Sequence, residues 1–171
     1  MRIKKYFQYG WYLIRHKWYV GLECWREGLY WRALTHDLSK FYPSEWFPYM
    51  NYFYGKVGDD ISKGRDETGY YKPTDTGDKA FDWAWFLHQK RNSHHWQYYV
   101  LPEDEGGLKI LEMSKKDRLE MVCDWVGAGK AQGNFSKGGD RFSETKKWYA
   151  KNKDKMRLHP NTIKWIESKI L

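Results

Sequence analysis

The chain of 171 residues is long enough for one domain with a sizeable core, and 30 Lys and Arg against 22 Asp and Glu give it a formal net charge of +8. This charge favours a polyanionic partner or a phosphate-bearing substrate, with a basic surface that serves only solubility as the alternative. The sequence has no run of about 18 apolar residues, no secretory leader and no CxxC pair, since Cys24 and Cys123 lie far apart. We therefore expect a cytoplasmic protein with reduced thiols and no membrane partner.

The N-terminal stretch predicts a long helix over residues 3–27. Leu13, His16 and Val20 recur there at spacings of three and four, which is the period of one helix face, so His16 should point inward. A lone inward histidine is more often a core residue hydrogen-bonded to a neighbour than a ligand. His16 becomes a ligand candidate because other residues of ligand type accompany it.

A second helix, predicted over residues 29–38 after Gly28, carries the pair His36-Asp37 near its C-terminal end. Adjacent helical residues point about 100° apart, so both side chains can bind one metal centre only if it lies over the edge between them. Lys40 is four residues from His36 and is expected above the same face if the helix continues.

A third helix is predicted to begin at Pro43, and Glu45 in its first turn is interpreted as a carboxylate favoured by the helix dipole rather than as an additional ligand or base. The glycine-rich stretch that follows, 55–78, is unusually long for a connection within a compact domain. We interpret it as a partly ordered lid, with a mobile tether as the alternative. Its pair Tyr70-Tyr71 is expected to contact a substrate.

Residues 79–100 are predicted to form a fourth helix with an unusual polar stripe. The stripe consists of His88, Arg91, Asn92 and His95. These groups suit a core poorly, because each would need a buried partner, but they suit the wall of a metal and anion site. His94 is expected about 100° round the same helix from His95.

The rest of the chain also predicts helices. Ser114 opens a helix that contains Asp124, and two further helices follow, at about 143–155 and beyond His159. An aspartate in mid-helix usually points to solvent, but the histidines need an acidic partner, so we prefer a ligand role for Asp124. Because no alternating strand pattern of any length is present, the predicted fold is a single all-α helical domain.

Residues that could bind metal come from four of these helices. They are His16, His36, Asp37, His88, His94, His95 and Asp124. Mixed imidazole and carboxylate ligands suit Mn, Fe, Zn, Ni or Co rather than a thiolate zinc site, and the set is larger than one ion needs, so two ions are predicted. Such a pair suits hydrolysis of phosphate esters, because one metal lowers the pKa of water and both neutralise phosphoryl oxygens. The predicted catalytic residues are Asp37, Lys40 and Arg91, and the predicted substrate contacts are Lys40, Arg91, Asn92, Tyr70 and Tyr71, with the two cations as phosphate clamps.

The order of these residues resembles that of a known superfamily. The series H…HD…H…HH…D is similar to that of the HD-domain metal-dependent phosphohydrolases, which are all-α enzymes, and it looks most like the HD-GYP branch, whose members hydrolyse cyclic dinucleotides. Ser39 stands where that branch has the glycine of HDxGK, and residues 69–73, GYYKP, match its GYP signature only in part. The strings HDLSKF, HQKRNSHHW and EMVCDW also resemble a family of bacterial and phage proteins without an established activity, over about His16 to His159.

The resemblance implies a phosphohydrolase or phosphodiesterase for a nucleotide or a cyclic (oligo)nucleotide, in the cytoplasm of a bacterium or of a phage-infected cell. Two alternatives stay open from the residues. One is a nucleic-acid-binding or nuclease-like accessory protein that uses the positive charge and the aromatic surfaces. The other is a non-catalytic helical protein that metal stabilises and that binds another protein.

Overall fold

The computed structural model describes residues 2–55, 66–70, 76–136 and 140–171, and in these ranges it confirms the all-α prediction. The helices are α1 Arg2–Arg26, α2 Tyr30–Thr35, α3 Pro43–Tyr54, α4 Lys79–Arg91, α5 Lys115–Ala131, α6 Ser143–Asn152 and α7 Pro160–Ile170. Among the described helices, none is both long and apolar enough to cross a bilayer.

A small hairpin is the one β element of the described residues. Its strands, β1 Val100–Pro102 and β2 Leu108–Ile110, pair antiparallel with Val100 opposite Ile110. No strand was predicted here from the sequence. Three residues are too few to display the alternation by which a strand is recognised.

Helices α1 and α5 pack together unusually closely. A Cβ atom placed on Gly127 of α5 would lie 2.6 Å from the backbone nitrogen of Val20 in α1 and 2.7 Å from its Cα. Glycine is required at this crossing because any side chain would overlap the backbone of the other helix. The crossing lies about one turn from both His16 and Asp124, and so it brings these two residues together.

Three apolar clusters surround the α1–α5 pair. Their buried members include Met121, Tyr149 and Ile166 in the first, Leu13, Tyr49 and Phe81 in the second, and Val20, Cys24 and Cys123 in the third. Both cysteines are unbridged and buried, which agrees with a packing role. The first cluster joins α5 to α6 and α7, and the second joins α1 to α3 and α4.

Helix α2 is shorter than predicted. It ends at Thr35, and Asp37 takes a φ of 54°, the one left-handed non-glycine residue in the described part of the chain. Aspartate tolerates this conformation better than most residues, because its short polar side chain can bond locally. A 3₁₀ turn, Leu38–Phe41, follows. The prediction of one helix through residue 38 was therefore wrong, because the backbone changes direction at His36 and Asp37.

Helix α4 is also shorter than predicted. It ends at Arg91 because Asn92 is extended, with φ −120° and ψ 100°. His94 and His95 lie in the turn that follows, in which His95 N donates to Asn92 O at 3.1 Å. The prediction of a helix continuing to residue 100 was wrong, and the two histidines owe their directions to a turn rather than to helical periodicity.

Part of the predicted lid, 55–78, is anchored to the rest of the chain. Within residues 66–70, Asp66 accepts hydrogen bonds from two backbone N–H groups of its own turn and from Lys155 Nζ at 2.5 Å. This segment is therefore fastened near the C-terminal end of α6. Tyr71 and most of the remaining lid lie outside the described residues.

Candidate metal centre

The structure brings all of the predicted metal ligands together around Asp37. Its Oδ2 atom lies 3.1 Å from His16 Nε2 and 3.4 Å from His36 Nε2. Asp124 Oδ1 completes this group, at 3.4 Å from His16 Nε2 and 3.5 Å from His36 Nε2. Three elements, α1, the end of α2 and α5, thus present four ligand atoms to one small volume.

The second oxygen of Asp37 faces a different group. Asp37 Oδ1 lies 3.5 Å from His88 Nε2 and 3.4 Å from His94 Nε2. His95 Nε2 joins them at 2.9 Å from His88 Nε2. Among the described residues, overlapping sets have ligand atoms within 4.8 Å of one another and could hold a metal ion: His16, His36 and Asp37; His36, His94 and Glu120; and Asp37, His88 and His95.

The broken end of α2 explains how consecutive residues reach one centre. His36 and Asp37 are both almost fully buried, at 1 % and 2 % exposure. In a continuous helix their side chains would diverge by about 100°. The left-handed backbone at Asp37 removes this divergence, so the centre does not lie over a helix edge as the sequence analysis assumed.

Several atoms of the centre lack hydrogen-bond partners among the described residues. They include Asp37 Oδ1, His94 Nε2 and Asp124 Oδ1. An unpaired buried polar atom costs about 1–3 kcal/mol, so three together are unusual in a packed core. Ligands about 2.1 Å from one ion stand about 3.0–3.4 Å apart, close to the 3.1–3.5 Å between the ligand atoms around Asp37. The donor types and their spacing therefore fit a metal ion.

Two buried glutamates hold the histidine rings from behind. His36 Nδ1 donates to Glu120 Oε1 at 3.0 Å, and His88 Nδ1 donates to Glu45 Oε2 at 2.9 Å. Each hydrogen bond fixes the ring with Nε2 toward Asp37, as outer carboxylates do in metal sites. Glu45 is fully buried, so our interpretation of it as a simple first-turn carboxylate understated its role.

Glu120 was not predicted, although the sequence contains a signal for it. It precedes Asp124 by four residues on α5 and therefore lies on the same face. Arg32 donates to Glu120 and, at 2.6 Å, to Asp117 Oδ1, a further turn along that face. Acidic residues on one face of α5, namely Asp117, Glu120 and Asp124, could have indicated hydrogen-bond acceptors for histidines on other elements.

Arg91 and Asn92 contact the residues that support the histidine rings rather than the ligand atoms. Arg91 Nη1 donates to Glu45 Oε1 at 2.7 Å, and Asn92 Nδ2 donates to Ser39 Oγ at 2.8 Å. Ser39 Oγ in turn donates to Glu45 Oε2 at 2.8 Å. Arg91 and Asn92 line a separate cavity with Ser39 and Tyr42.

Burial controls the protonation of the imidazoles. It lowers the pKa of His16, lowers that of His95 well below the usual value and, together with the charge of His36, lowers that of His94 to about 4. Burial acts in the same direction on His36, but the neighbouring carboxylates, Asp37 foremost, outweigh it and raise its pKa to about 10. Three of the imidazoles are thus held neutral, which is the form that binds metal.

A cavity of about 440 Å³ opens onto one side of the centre. It is lined at the centre by His16, His95, Asp124 and Lys40, whose Nζ donates to Asp37 Oδ2 at 2.6 Å. The aromatic part of its wall includes Tyr12, Tyr70, Trp85, Trp96, Trp125 and Trp148. Its other cations are Lys130, Arg141, Lys147 and Lys151. Tyr70, one of the two predicted substrate contacts in the 55–78 stretch, lines this cavity.

The fold and this centre define an all-α protein with a buried imidazole–carboxylate cluster that could hold metal. The chain belongs to DUF5662, a family of unknown function whose model matches residues 5–171. No curated protein and no solved structure matches it.

Proposed function

We propose that the chain is a metal-dependent phosphohydrolase that acts on a nucleotide or cyclic (oligo)nucleotide phosphate ester through two divalent transition-metal ions. The observation that carries the proposal is the position of Asp37 between two groups of ligands. Each of its oxygens faces at least two imidazole Nε2 atoms, at 3.1–3.5 Å. One carboxylate shared by two ions is an arrangement that suits phosphoryl chemistry.

Each ion would have its own ligands, with Asp37 common to both. The first set is His16, His36, Asp37 and Asp124, and the second set is Asp37, His88, His94 and His95. When bound, a pair of divalent ions supplies an activated water near neutral pH and neutralises the phosphoryl oxygens. Mn, Fe, Zn, Ni and Co all accept this mixture of imidazole and carboxylate.

Lys40 is the cation best located to contact the phosphate. It lines the cavity and donates to Asp37 at 2.6 Å. Burial would lower its pKa, but the charges of Asp37 and Asp124 outweigh this effect and raise it, so the ammonium group stays charged. A second hydrogen atom of the same group is then available to a phosphoryl oxygen. Arg91, by contrast, acts through Glu45 and is a positioning residue in this proposal.

The cavity supports a catalytic rather than a purely structural role for the centre. Structural metal sites are closed by protein ligands, whereas catalytic sites keep a position open, and here the cavity reaches His16 and Asp124. Its volume of about 440 Å³ lies in the range of small-molecule sites, about 300–1,000 Å³. The aromatic wall suits a base, because bases stack on such rings without regard to their identity.

The test is metal analysis of purified protein combined with a screen of mono-, cyclic and oligonucleotide phosphates. We expect about two metal equivalents per chain and turnover of at least one substrate. Asp37→Asn should lose both, because it removes the shared charge, whereas Asp104→Asn in the hairpin loop should retain both.

Four outcomes would overturn the proposal. A wild-type protein that neither contains nor takes up metal would remove its basis, as would an Asp37→Asn variant with unchanged turnover. Metal binding without hydrolysis of any phosphate would favour the non-catalytic, metal-stabilised protein. Binding of nucleic acid that weakens steeply with salt, without turnover, would favour the accessory protein.

A further inference from the structure

The outer face of α1 is apolar along most of its length. Large side chains follow one another there at spacings of three or four residues, and each is at least 40 % exposed. They are Phe7, Trp11, Ile14, Trp18, Leu22 and Trp25. The three indoles are 60–65 % exposed. This outer stripe is opposite the face that carries His16 and Val20 into the core, so the metal centre does not account for it.

Helix α2 widens the apolar surface. Trp25 contacts Tyr30 with ring centroids 4.7 Å apart, and Trp31 and Leu34 are 75 % and 64 % exposed. At about 250 Å² for a whole indole, the four tryptophans alone expose roughly 650 Å², and the other apolar side chains bring the surface to roughly 1,000 Å². The largest apolar patch of a typical monomer is about 300–600 Å². A stable interface removes about 800 Å² from each partner, so this surface is large enough for one.

We propose that this surface binds the same surface of a second copy of the chain, with the two α1 helices antiparallel. Spacings of four, three, four, four and three keep the six side chains on one stripe along the helix, as lengthwise packing against a second helix requires. Contact between identical surfaces produces a closed, two-fold dimer. The area of the surface, close to what a stable dimer buries on each partner, favours a second copy.

The sizes of the side chains indicate the antiparallel direction. With the two-fold axis near residue 16, Trp18 faces Ile14 of the second copy, and Trp11 faces Leu22. At these two central pairs a large residue lies opposite a smaller one, which is how helix interfaces fill space without overlap, and Phe7 faces Trp25 at each end of the contact. In a parallel pair each indole would instead meet the same indole of the other copy.

Molar mass in solution tests the dimer. Sedimentation velocity should give the wild-type protein twice the 20.8 kDa of one chain, and Trp18→Glu should give a single chain with an unchanged circular dichroism spectrum. Trp83→Glu is the matched control, because Trp83 is 62 % exposed but lies on α4, outside the outer stripe. This variant should remain dimeric. A monomeric wild type at tens of micromolar, or a Trp18→Glu protein that stays dimeric, would overturn the proposal.

Cysteine cross-linking tests the direction. Trp11→Cys and Leu22→Cys chains should form an intermolecular disulfide only when they are mixed, since the antiparallel pair places these positions opposite each other. The native cysteines are buried and should contribute little background. Efficient cross-linking of either variant alone would contradict the antiparallel arrangement. A monomer that co-sediments with anionic lipid vesicles through Trp18 would assign the surface to a membrane and overturn the dimer.

Discussion

Replacement of Gly127 by alanine should weaken the fold at the crossing of α1 and α5. The new methyl group would lie 2.5–2.7 Å from three atoms of Val20, two of them in the backbone. Ordinary carbon contacts lie at about 3.5–4.0 Å, so the helices must separate by roughly 1 Å. Because His16 and Asp124 are about one turn away, the same movement would widen the metal centre.

The size of the effect follows from two opposing terms. Overpacking of a core costs about 1–3 kcal/mol, and contact with backbone belongs at the upper end of this range. Alanine recovers about 1 kcal/mol relative to glycine within a helix. We therefore expect Gly127→Ala to lower the free energy of unfolding by about 2 kcal/mol, and the Tm by about 4–8 °C for a domain of this size.

Thermal unfolding followed by circular dichroism provides the assay, with Gly129→Ala as the control. Gly129 lies on the same helix, and no described atom lies within 4 Å of a Cβ placed there. This variant should be about as stable as the wild type, or up to about 1 kcal/mol more stable. If Gly127→Ala unfolds at or above the wild-type Tm, the close approach of α1 and α5 is not a constraint and the reasoning fails.

Three further predictions concern the centre itself. Glu120→Gln should weaken metal binding about 10–100-fold in a chelator competition, because the ring of His36 loses its charged acceptor; unchanged affinity would contradict this role. In chelated protein, stability should be greatest near pH 6.5. Below this pH the unfolded chain takes up a proton that His94 does not bind in the folded chain, where its pKa is about 4, so stability falls as the pH falls. Above this pH folded His36, with a pKa of about 10, retains a proton that the unfolded chain releases, so stability falls as the pH rises. A Tm that stays constant from pH 4 to 9 would refute both shifts. Lys40→Met should lower kcat/KM on any phosphate found in the screen about 100-fold with unchanged metal content; loss of metal instead would show that Lys40 supports Asp37 rather than substrate.

The sequence was sufficient for most helices because their boundaries are encoded locally. Ser114 accepts from Asp117 N at the start of α5, and Pro43 begins α3, as predicted. The set of ligand types was also sufficient to indicate which residues converge. Both kinds of signal depend on residue identity over a short stretch, and so a single sequence can reveal them.

The parts that sequence reasoning missed depend on contacts between distant elements. Arg91 lies on the stripe of His88 as predicted, but only the packing of α3 against α4 shows that it faces Glu45. The ends of α2 and α4 were missed for a related reason. Asp37 and Asn92 are poor helix formers, but one such residue does not by itself mark the end of a helix, and here the directions that the centre demands from its ligands determine the ends.

The left-handed backbone at Asp37 restricts what can occupy this position. Most residues with a longer or branched side chain meet a steric penalty of about 1–2 kcal/mol there. Glycine and asparagine tolerate the conformation but lack the charge, and glutamate has the charge but not the tolerance. Asp37→Glu should therefore lose metal just as Asp37→Asn does, because neither residue satisfies both the main chain and the ligand role.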